Sequence, residues 1–404
     1  MSEGKEADVS LTDTQDPRAL LKSYLSTTAY LSPASTTLIA QEYPHTSDTS
    51  HLSKHYESIG HGQCAEIFGQ SSKVALKKAH PPQKKHAEVV NDSVQHQKVC
   101  TAFEKYAQLC HVPEYQSLIL PSNDEWYASY GTSIPNSKLL RAKGSRERTP
   151  ILAIERILPL PGVVRDAIIE QFCPKGLKGV AREDEENRDC LLRLYLGTGL
   201  PIVGPTPSLS ASPNVQFSLR NFPLCLNKTE SLGLDAKPYA EAIAEGIAIL
   251  HWGAGIDARD VEFVLGSSKL LGKDQYGNQD GEMEVETRKG NTVWVWVLDF
   301  NQCEGIERDE SGVELAARAW WDNDPYFPRA GAACGKDEEL WECFRGKYEE
   351  VGRMILDGES EEVRGLPGRV LERVVEMGKV RGMGGGGSGG PPRGGIVRKK
   401  KERV

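Results

Sequence analysis

Residues 59–67 read I-G-H-G-Q-C-A-E-I, and residues 74–77 read V-A-L-K a few positions further along. Apolar residues at both ends of the first stretch predict two strands joined by a Gly-rich turn, and the second stretch predicts another strand. The missing side chains at Gly60 and Gly62 let backbone N–H groups close over a phosphate. From its strand Lys77 can reach the same phosphates. The two stretches together predict a phosphate-binding hairpin; the alternative is a plain Gly-rich turn beside an edge strand.

The adjacent Lys78 should point to the opposite face of the strand, because side chains alternate along it. A buried Lys77 needs a carboxylate partner, which we expect from the next helix, predicted over residues 92–109. The candidates are Asp92 and Glu88. Asp92 is favoured because it lies inside the periodic segment, although either acid also suits a solvated position near a helix N-terminus.

Residues 256–265 read I-D-A-R-D-V-E-F-V-L and follow an apolar helix predicted over residues 240–252. These residues resemble the catalytic loop H-R-D-L-x-x-x-N of protein kinases in either of two registers. In one register the resemblance implies that Asp257 orients the hydroxyl that accepts a phosphate, and that Glu262, at the Asn position, binds Mg²⁺, which takes carboxylate oxygens readily. In the other register Asp260 orients the acceptor hydroxyl. Leu265 then replaces the metal-binding Asn, so the loop offers no second metal ligand. The first register is favoured because it alone keeps an oxygen ligand. The alternative is that these acids only cap a turn.

Residues 295–301 read V-W-V-L-D-F-N, an apolar strand that ends in Asp299. A carboxylate at the end of a buried strand is well placed to hold Mg²⁺ between the phosphates of a nucleotide. Asn301 stands where a glycine hinge would give more freedom, but asparagine tolerates unusual backbone angles better than most residues. Asp299 is therefore the second predicted metal ligand.

In their order along the chain these four stretches resemble the Gly-rich loop, V-A-I-K, H-R-D-L-x-x-x-N and D-F-G motifs of protein kinases. The resemblance implies an α+β, two-lobed protein-kinase-like fold with a small β-rich N-lobe and a larger, mainly helical C-lobe. It also implies ATP and Mg²⁺ as cofactors. The chain departs from the pattern at three positions, since the loop histidine is absent, Glu262 replaces the Asn and Asn301 replaces the Gly. No A-P-E follows, so a peptide-docking platform is not evident.

Two functions follow from this resemblance. The first is an ATP–Mg²⁺-dependent phosphotransferase with degenerate catalytic motifs, acting on an unidentified small molecule or protein. The second is a pseudokinase that uses the same fold as an interaction or scaffold module.

A second resemblance covers roughly residues 193–348. The stretches that carry it read R-N-F-P-L at 220–224, I-D-A-R-D-V-E-F-V-L at 256–265 and D-N-D-P-Y-F-P at 322–328. They are similar to the fungal domain of unknown function 3669, whose members are often labelled "zinc finger protein". This family brings no established activity and no catalytic residues. The stretch at 322–328 predicts a structural corner packed on the second lobe, or alternatively a ligand surface.

A zinc finger needs four nitrogen or sulfur ligands spaced in close pairs. The nearest approach is around one predicted helix and consists of His96, Cys100, Cys110 and His111. Buried cysteines and histidines on a core helix explain these residues more simply. A zinc-binding, nucleic-acid-associated protein is therefore a third and less favoured function.

Composition supports an intracellular protein, cytoplasmic or nuclear. The net charge is −8 with a pI of about 5.7, which argues against nucleic acid as a partner. Nine scattered cysteines suit a reducing compartment better than a disulfide framework. No apolar run has the length of a membrane span, and the acidic N-terminus is unlike a secretory signal. A basic cluster at 398–403 suggests a nuclear-import peptide, an anionic-surface peptide or simply a solvated terminus.

The predicted organisation has four parts. Residues 1–50 form a disordered tail with one helical turn near 18–25, residues 51–158 the N-lobe and residues 159–366 the C-lobe. Residues 367–404 form a helix remnant, a Gly-rich linker and the basic tail. Within the C-lobe we also expect a strand at 215–219 and a last long helix at 339–356.

Overall fold

The computed structural model describes residues 16–26, 56–70, 74–81, 83–135, 147–197, 217–267, 293–330 and 335–382. The predicted Gly-rich linker and basic cluster lie outside these residues, as does most of the polar stretch 266–291. The described part is a mixed α+β fold with a β-rich N-terminal region and a largely helical C-terminal part. The predicted α+β class, with a β-rich N-terminal part and a mainly helical C-terminal part, is confirmed.

The N-terminal region is built on an antiparallel sheet of five strands in the order β1-β2-β3-β6-β5. Its strands are β1 (Glu57–His61), β2 (Ala65–Gln70), β3 (Val74–Ala79), β5 (Tyr115–Ile119) and β6 (Ile151–Glu155). Helix α2 (Gln83–Tyr106) packs against this sheet through buried residues such as Val89. Because β2 and β3 are paired over their whole length, the Gly-rich turn and the lysine strand belong to one rigid sheet.

A second sheet has five strands in the order β4-β10-β9-β7-β8. Its strands are β4 (Cys110–His111), β7 (Leu192–Tyr195), β8 (Phe222–Cys225), β9 (Glu262–Ser267) and β10 (Val293–Leu298). Strands β9 and β10 are antiparallel, with Leu298 opposite Glu262 and Val293 opposite Ser267. This register places Asp299, which follows β10, beside the first residue of β9.

Helices make up most of the remaining C-terminal part. They are α3 (Asp124–Tyr130), α4 (Gly162–Phe172), α5 (Lys178–Glu183), α6 (Leu226–Ser231), α7 (Lys237–Ala248), α8 (Glu310–Asp322), α9 (Gly335–Ile355), α10 (Glu361–Arg364) and α11 (Leu366–Gly382). The centre of the main core is α7, which is buried from Tyr239 to Ala248 except at Glu241 and continues into a single π-helical turn, Ile249–Gly253. The aromatic corner after α8 packs into this core through Tyr326 and Phe327, as the structural reading of residues 322–328 predicted.

Helix α1 (Pro17–Leu25) lies inside the segment that the sequence predicted to be a disordered tail. Its side chains at spacings of three and four, Leu21, Tyr24 and Leu25, are buried in the main core. Asp16 caps its first turn, and the Tyr239 hydroxyl donates to the Leu25 carbonyl at 2.6 Å. A single apolar face is enough to dock so short a helix, although the surrounding composition is polar.

Two predicted elements of the C-terminal part differ from the structure. The strand expected at 215–219 is wrong over its described residues, because residues 217–221 form a turn and the strand begins at Phe222. Asn221 has a φ of 53°, which ends any extended segment before it. The helix predicted at 339–356 is present as α9 but is not the last long one, because the helix remnant predicted after residue 366 is a full helix, α11, whose glycines and valines weaken the helical signal of its sequence.

One buried carboxylate ties the two regions together. Glu245 on α7 is 2% exposed, and its Oε1 accepts hydrogen bonds from the backbone N–H groups of Gln108, Leu109 and Cys110 at 2.7–3.0 Å. These three donors lie where the chain leaves α2 and enters β4. The contact fixes α2, and with it Asp92, relative to the main core.

We expect Glu245→Gln to lower the free energy of unfolding by about 2 kcal/mol, because a neutral amide oxygen accepts these bonds less strongly than a carboxylate. Urea denaturation followed by Trp fluorescence measures the change. The exposed Glu372→Gln serves as the control and should change stability by less than about 0.5 kcal/mol. Equal effects from the two variants would contradict a supporting role for Glu245.

Candidate functional site

The ammonium group of Lys77 lies between two carboxylates. Its Nζ is 2.5 Å from Oδ2 of Asp92 on α2 and 2.5 Å from Oδ1 of Asp299 at the end of β10. Lys77 is 8% exposed, so both ion pairs are shielded from water. Burial alone would lower the pKa of Lys77, but Asp299 and Asp92 raise it well above its usual value. The lysine therefore stays charged and joins the first sheet, α2 and the second sheet.

Asp92 is the helix carboxylate that meets Lys77, and Glu88 instead bonds to Lys85 within the same helix. The second oxygen of Asp92 accepts the backbone N–H of Phe300 at 3.1 Å. The preceding residue of the helix, Asn91, donates its side-chain amide to the backbone carbonyls of Asn301 and Cys303, at 3.0 Å each. Helix α2 thus holds the segment after Asp299 by its backbone, independently of side chains in that segment.

The Gly-rich turn closes the hairpin between β1 and β2. A Cβ added at Gly60 or Gly62 would meet no atom closer than 3.6 Å, and neither residue has a positive φ. The protein's own conformation therefore does not require glycine at these positions, whereas a ligand lying against the backbone would. Lys78 points away from Lys77, and Glu66 on the neighbouring strand partly offsets the lowering of its pKa by burial.

Asp299 adopts a left-handed backbone conformation, with a φ of 68°. Such a conformation is strained for a residue with a side chain and is often found at functional sites. The asparagine that replaces the expected glycine, Asn301, instead donates its amide to the Cys64 thiol at 3.1 Å. Cys64 lies next to the Gly-rich turn, so this bond connects the hairpin directly to the segment after Asp299.

The two aspartates of the loop before β9 have different surroundings. Asp257 is 4% exposed, and its Oδ1 accepts the backbone N–H groups of Arg259 at 3.2 Å and Glu304 at 2.9 Å. Burial raises its pKa. Asp260 is exposed, with a φ of 60°, and one of its oxygens accepts from Gln302 at 2.6 Å. Asp257 organises the loop, and Asp260 presents its carboxylate at the surface of the site.

Asp260, Glu262 and Asp299 form what we call the acidic cluster. Although Asp260 is exposed, the protein around its carboxylate partly desolvates it, and this together with the negative charge of Asp299 raises the pKa of Asp260 to about 6. The pKa of Glu262 is also raised by its burial and by Asp299, although Arg193 opposes the shift. The pKa of Asp299 is raised by its burial and by Asp92, against the effect of Lys77. Burial thus disfavours the ionised form of each of these three carboxylates, and Lys77 and Arg193 partly oppose it.

Arg193 on β7 pairs with Glu262, the carboxylate predicted to bind metal. Its Nη1 also lies 3.4 Å from Oδ2 of Asp324, and that same oxygen accepts the Tyr195 hydroxyl at 2.6 Å. The neighbouring Asn323 accepts the backbone N–H of Asp260 at 2.6 Å and donates to the Ala258 carbonyl at 2.9 Å. The stretch after α8 is thus a corner whose polar residues hold both the loop and Arg193.

Arg220 crosses from the second sheet to the Gly-rich turn. Its guanidinium donates to the backbone carbonyl of His61 and lies 2.8 Å from Nε2 of the His61 ring. Burial and then the charge of Arg220 lower the pKa of His61, so the ring is neutral and accepts. This contact covers the outer side of the site.

The residues considered for zinc have other bonds. The His96 ring lies 2.7 Å from the Pro113 carbonyl, the Cys100 thiol donates to the same carbonyl, and His111 stacks on Trp294 with ring centroids 3.9 Å apart. Within the described ranges, no three or more His, Cys, Asp or Glu side chains are grouped so as to hold a metal ion on their own. These residues do not fit a zinc finger.

A separate finding is that no described helix is long and apolar enough to cross a bilayer.

Comparison with known proteins adds a family match in the C-terminal part. The model of domain of unknown function 3669, described as "Zinc finger protein", matches residues 295–360, which confirms that resemblance over a shorter segment than predicted. No curated protein matches the sequence. Among solved structures, a GDP complex of a mutant aminoglycoside 2'-phosphotransferase IIIa aligns over 87% of this chain and 98% of its own, with 12% identity. Its TM-score is 0.21, so this alignment supports no conclusion about fold or function.

Sequence reasoning missed the three residues that surround Glu262 and the loop, which are Arg193, Asn323 and Asp324. The available signal was an arginine inside the short apolar strand L-R-L-Y, because a charge in such a strand needs a buried partner. The identity of that partner could not be predicted from the spacing of residues in the sequence, because Arg193 and Glu262 are 69 residues apart.

His251, which belongs to neither predicted register of the loop at residues 256–265, supports that loop. His251 is 2% exposed, its Nδ1 lies 2.7 Å from the Tyr348 hydroxyl, and its ring also bonds to the Asp257 backbone. Trp252 donates to the same hydroxyl at 3.1 Å, so the hydroxyl proton is directed to His251. Burial lowers the pKa of His251 from 6.5 to about 4.

Because of this shift, the unfolded chain binds a proton between pH 6.5 and 4 that the folded chain does not. Above pH 6.5 the titration of His251 therefore does not reduce the free energy of unfolding. The free energy of unfolding then decreases as the pH falls toward 4. From pH 7 to pH 5 we expect a loss of about 2 kcal/mol from this residue, measured by urea denaturation at each pH. His251→Asn, which cannot be protonated, should lose correspondingly less over the same range. Parallel pH profiles for the two proteins would show that His251 does not titrate this way.

Proposed function

We propose that the chain binds a nucleoside triphosphate with a divalent cation between the Gly-rich turn and Asp299. The observation that carries the proposal is the buried Lys77, held between Asp92 and Asp299 next to that turn. A lysine fixed by a helix carboxylate and near a strand-end aspartate is the arrangement by which kinases hold ATP phosphates. ATP is the expected nucleotide, and Mg²⁺ the expected cation.

Each residue has a role in this proposal. Backbone N–H groups at Gly60 and Gly62 lie over the phosphates, and Lys77 supplies the positive charge that binds them. Asp92 keeps Lys77 in place. Asp299 holds the metal ion, which supplies electrostatic neutralisation of the phosphate charge when bound.

The acidic cluster fits a divalent cation electrostatically. Asp299 interacts electrostatically with Asp260 and Glu262, and Lys77 and Arg193 both oppose the rise in the pKa values of the three carboxylates. A cation with two charges would favour their ionised forms. Mg²⁺ in nucleotide sites takes only one or two protein carboxylates and completes its shell with water and phosphate oxygens. An incomplete protein ligand set is therefore compatible with this metal.

For phosphate transfer we propose Asp260 as the group that orients the acceptor hydroxyl, in place of the predicted Asp257. Asp260 is the exposed aspartate and interacts electrostatically with Asp299 and Lys77. Asp257 is occupied by two backbone N–H groups and would act by positioning the loop. The acceptor is an alcohol on a small molecule or on a protein.

A pseudokinase is the second candidate function. The observation that favours it is the ion pair between Arg193 and Glu262, which occupies a carboxylate expected to bind metal. In that case the nucleotide site stabilises a scaffold, and no phosphate is transferred.

Binding is tested by thermal unfolding with and without Mg-ATP. At a nucleotide concentration 100 times Kd, the native state should gain about 2.7 kcal/mol, a shift of several degrees in Tm. Lys77→Met and Asp299→Asn should abolish the shift, because they remove the phosphate and metal contacts.

Two matched variants sharpen this test. Lys78→Met removes the adjacent lysine, which faces away from the site, and should keep the full shift. Gly62→Ala should leave Tm without nucleotide unchanged, because the added Cβ meets no atom nearer than 3.8 Å, yet reduce the nucleotide-dependent shift. An unchanged wild-type Tm at saturating Mg-ATP would refute nucleotide binding.

Turnover is tested by phosphate release from Mg-ATP. Asp260→Asn should lower the rate about 100-fold or more, because it removes the group that accepts the hydroxyl proton. Asp257→Asn keeps an oxygen acceptor for the loop and should lower the rate less than about tenfold. A larger loss of rate in Asp257→Asn than in Asp260→Asn would instead assign the catalytic role to Asp257. Phosphate release measures transfer to water in place of the alcohol, so binding without any wild-type release would favour the pseudokinase.

A further inference from the structure

The side chain of Arg193 is placed at the site by strand geometry. In β7, Leu192 and Leu194 are fully buried on one face, so Arg193 projects from the other. Arg193 lies opposite Val264 on β9, and Glu262 is two residues from Val264 on the same face of that strand. Diagonal neighbours of this kind are within reach of a long side chain. The pairing of Arg193 with Glu262 therefore follows from the register of the sheet.

We infer that Arg193 is a built-in cation that takes the place of a second metal ion. Its guanidinium forms an ion pair with the Glu262 carboxylate. Asp299 is then left as the protein ligand of a single divalent cation. This inference deepens the proposed function and rests on it for its consequence at the nucleotide. It concerns the chain's own charges, and so it can be tested without nucleotide.

The charge of Arg193 reaches the whole acidic cluster. It opposes the raised pKa values of Asp260, Glu262 and Asp299 alike. An arginine remains protonated at any physiological pH, so this positive charge is permanent, whereas a bound ion exchanges with solution. The site thus has one fixed cation where a two-metal site would have an exchangeable one.

A metal ion could bind Glu262 only by displacing this guanidinium. The Arg193 side chain is 17% exposed, and its Nε is buried without a hydrogen-bond partner among the described residues. Its remaining partners would be Asp324, at 3.4 Å, and the Tyr195 hydroxyl. A largely buried guanidinium that loses its main carboxylate is unfavourable, because the lost solvation is no longer offset. Glu262 is therefore closed to metal in this arrangement.

Mn²⁺ is the probe for the test, since the electron paramagnetic resonance signal of free Mn²⁺ reports how much has bound. The full chain is titrated first without nucleotide. Arg193→Gln should bind Mn²⁺ at least tenfold more tightly than wild type, because Glu262 and Asp299 then become available together. The double variant Arg193→Gln/Glu262→Gln should lose that gain. Arg193→Lys, which keeps the positive charge, should behave like wild type.

The titration is repeated with a non-hydrolysable ATP analogue. Wild type and Glu262→Gln should each bind one Mn²⁺ per chain, and Arg193→Gln should bind two. The inference is overturned if Glu262→Gln alone weakens Mn²⁺ binding tenfold, or if Arg193→Gln shows no gain while remaining folded by circular dichroism. If Arg193→Gln does not fold, the Glu262→Gln result decides.

The two hypotheses fail in different ways. Absence of analogue binding to wild type would refute the proposed nucleotide site. The nucleotide-free titrations of the Arg193 and Glu262 variants would still support or overturn the role of Arg193.

Discussion

A buried ammonium between two carboxylates is the interaction on which the arrangement of this protein depends. Lys77 comes from the first sheet, Asp92 follows 15 residues later on α2, and Asp299 lies 222 residues from Lys77 at the end of β10. None of the three charges is favourable alone in a water-poor environment. Each therefore fixes the other two, and three distant segments of the chain meet at one point.

The polar residues around this point share a common principle. Asp257, Asn323 and Asn91 use their side chains to hold the backbone of neighbouring segments. Backbone bonds of this kind specify position without depending on the partner's side chain. In the described chain, non-glycine residues with positive φ number four, and three of them, Ala258, Asp260 and Asp299, belong to these segments. The surrounding hydrogen bonds offset the strain of those conformations, which is expected where geometry matters more than local stability.

Much of the fold and part of the site could be predicted from the sequence. The α+β class was implied by the resemblance to kinase motifs, and Asp92 was favoured as the partner of Lys77 because it lies inside the predicted helix. Asp92 is one turn beyond Glu88 on the same side of α2, and it is the more deeply buried of the two. These are local properties, and local periodicity is enough to predict them.

The remainder depends on pairings between distant segments. Whether Asp257 or Asp260 faces Lys77 is decided by two left-handed residues and by Asn323, none of which a motif spacing reveals. The partner of Glu262 depends on the register between β7 and β9. The docking of α1 depends on an apolar surface that exists only after α4 and α7 are folded. In each case the sequence identified a candidate residue but not the residue it meets.

The antiparallel pair of β9 and β10 has a further consequence for how this protein can change. Glu262 and Leu298 are paired at the end near the site, and Ser267 and Val293 are paired at the opposite end. Six residues of strand separate those ends by roughly 20 Å. Ser267 and Val293, where the two strands end away from the site, can therefore accept a change in the chain between them while the ladder keeps the strand ends at the site in register. That end of the hairpin is a natural position for inserting a label or a small domain.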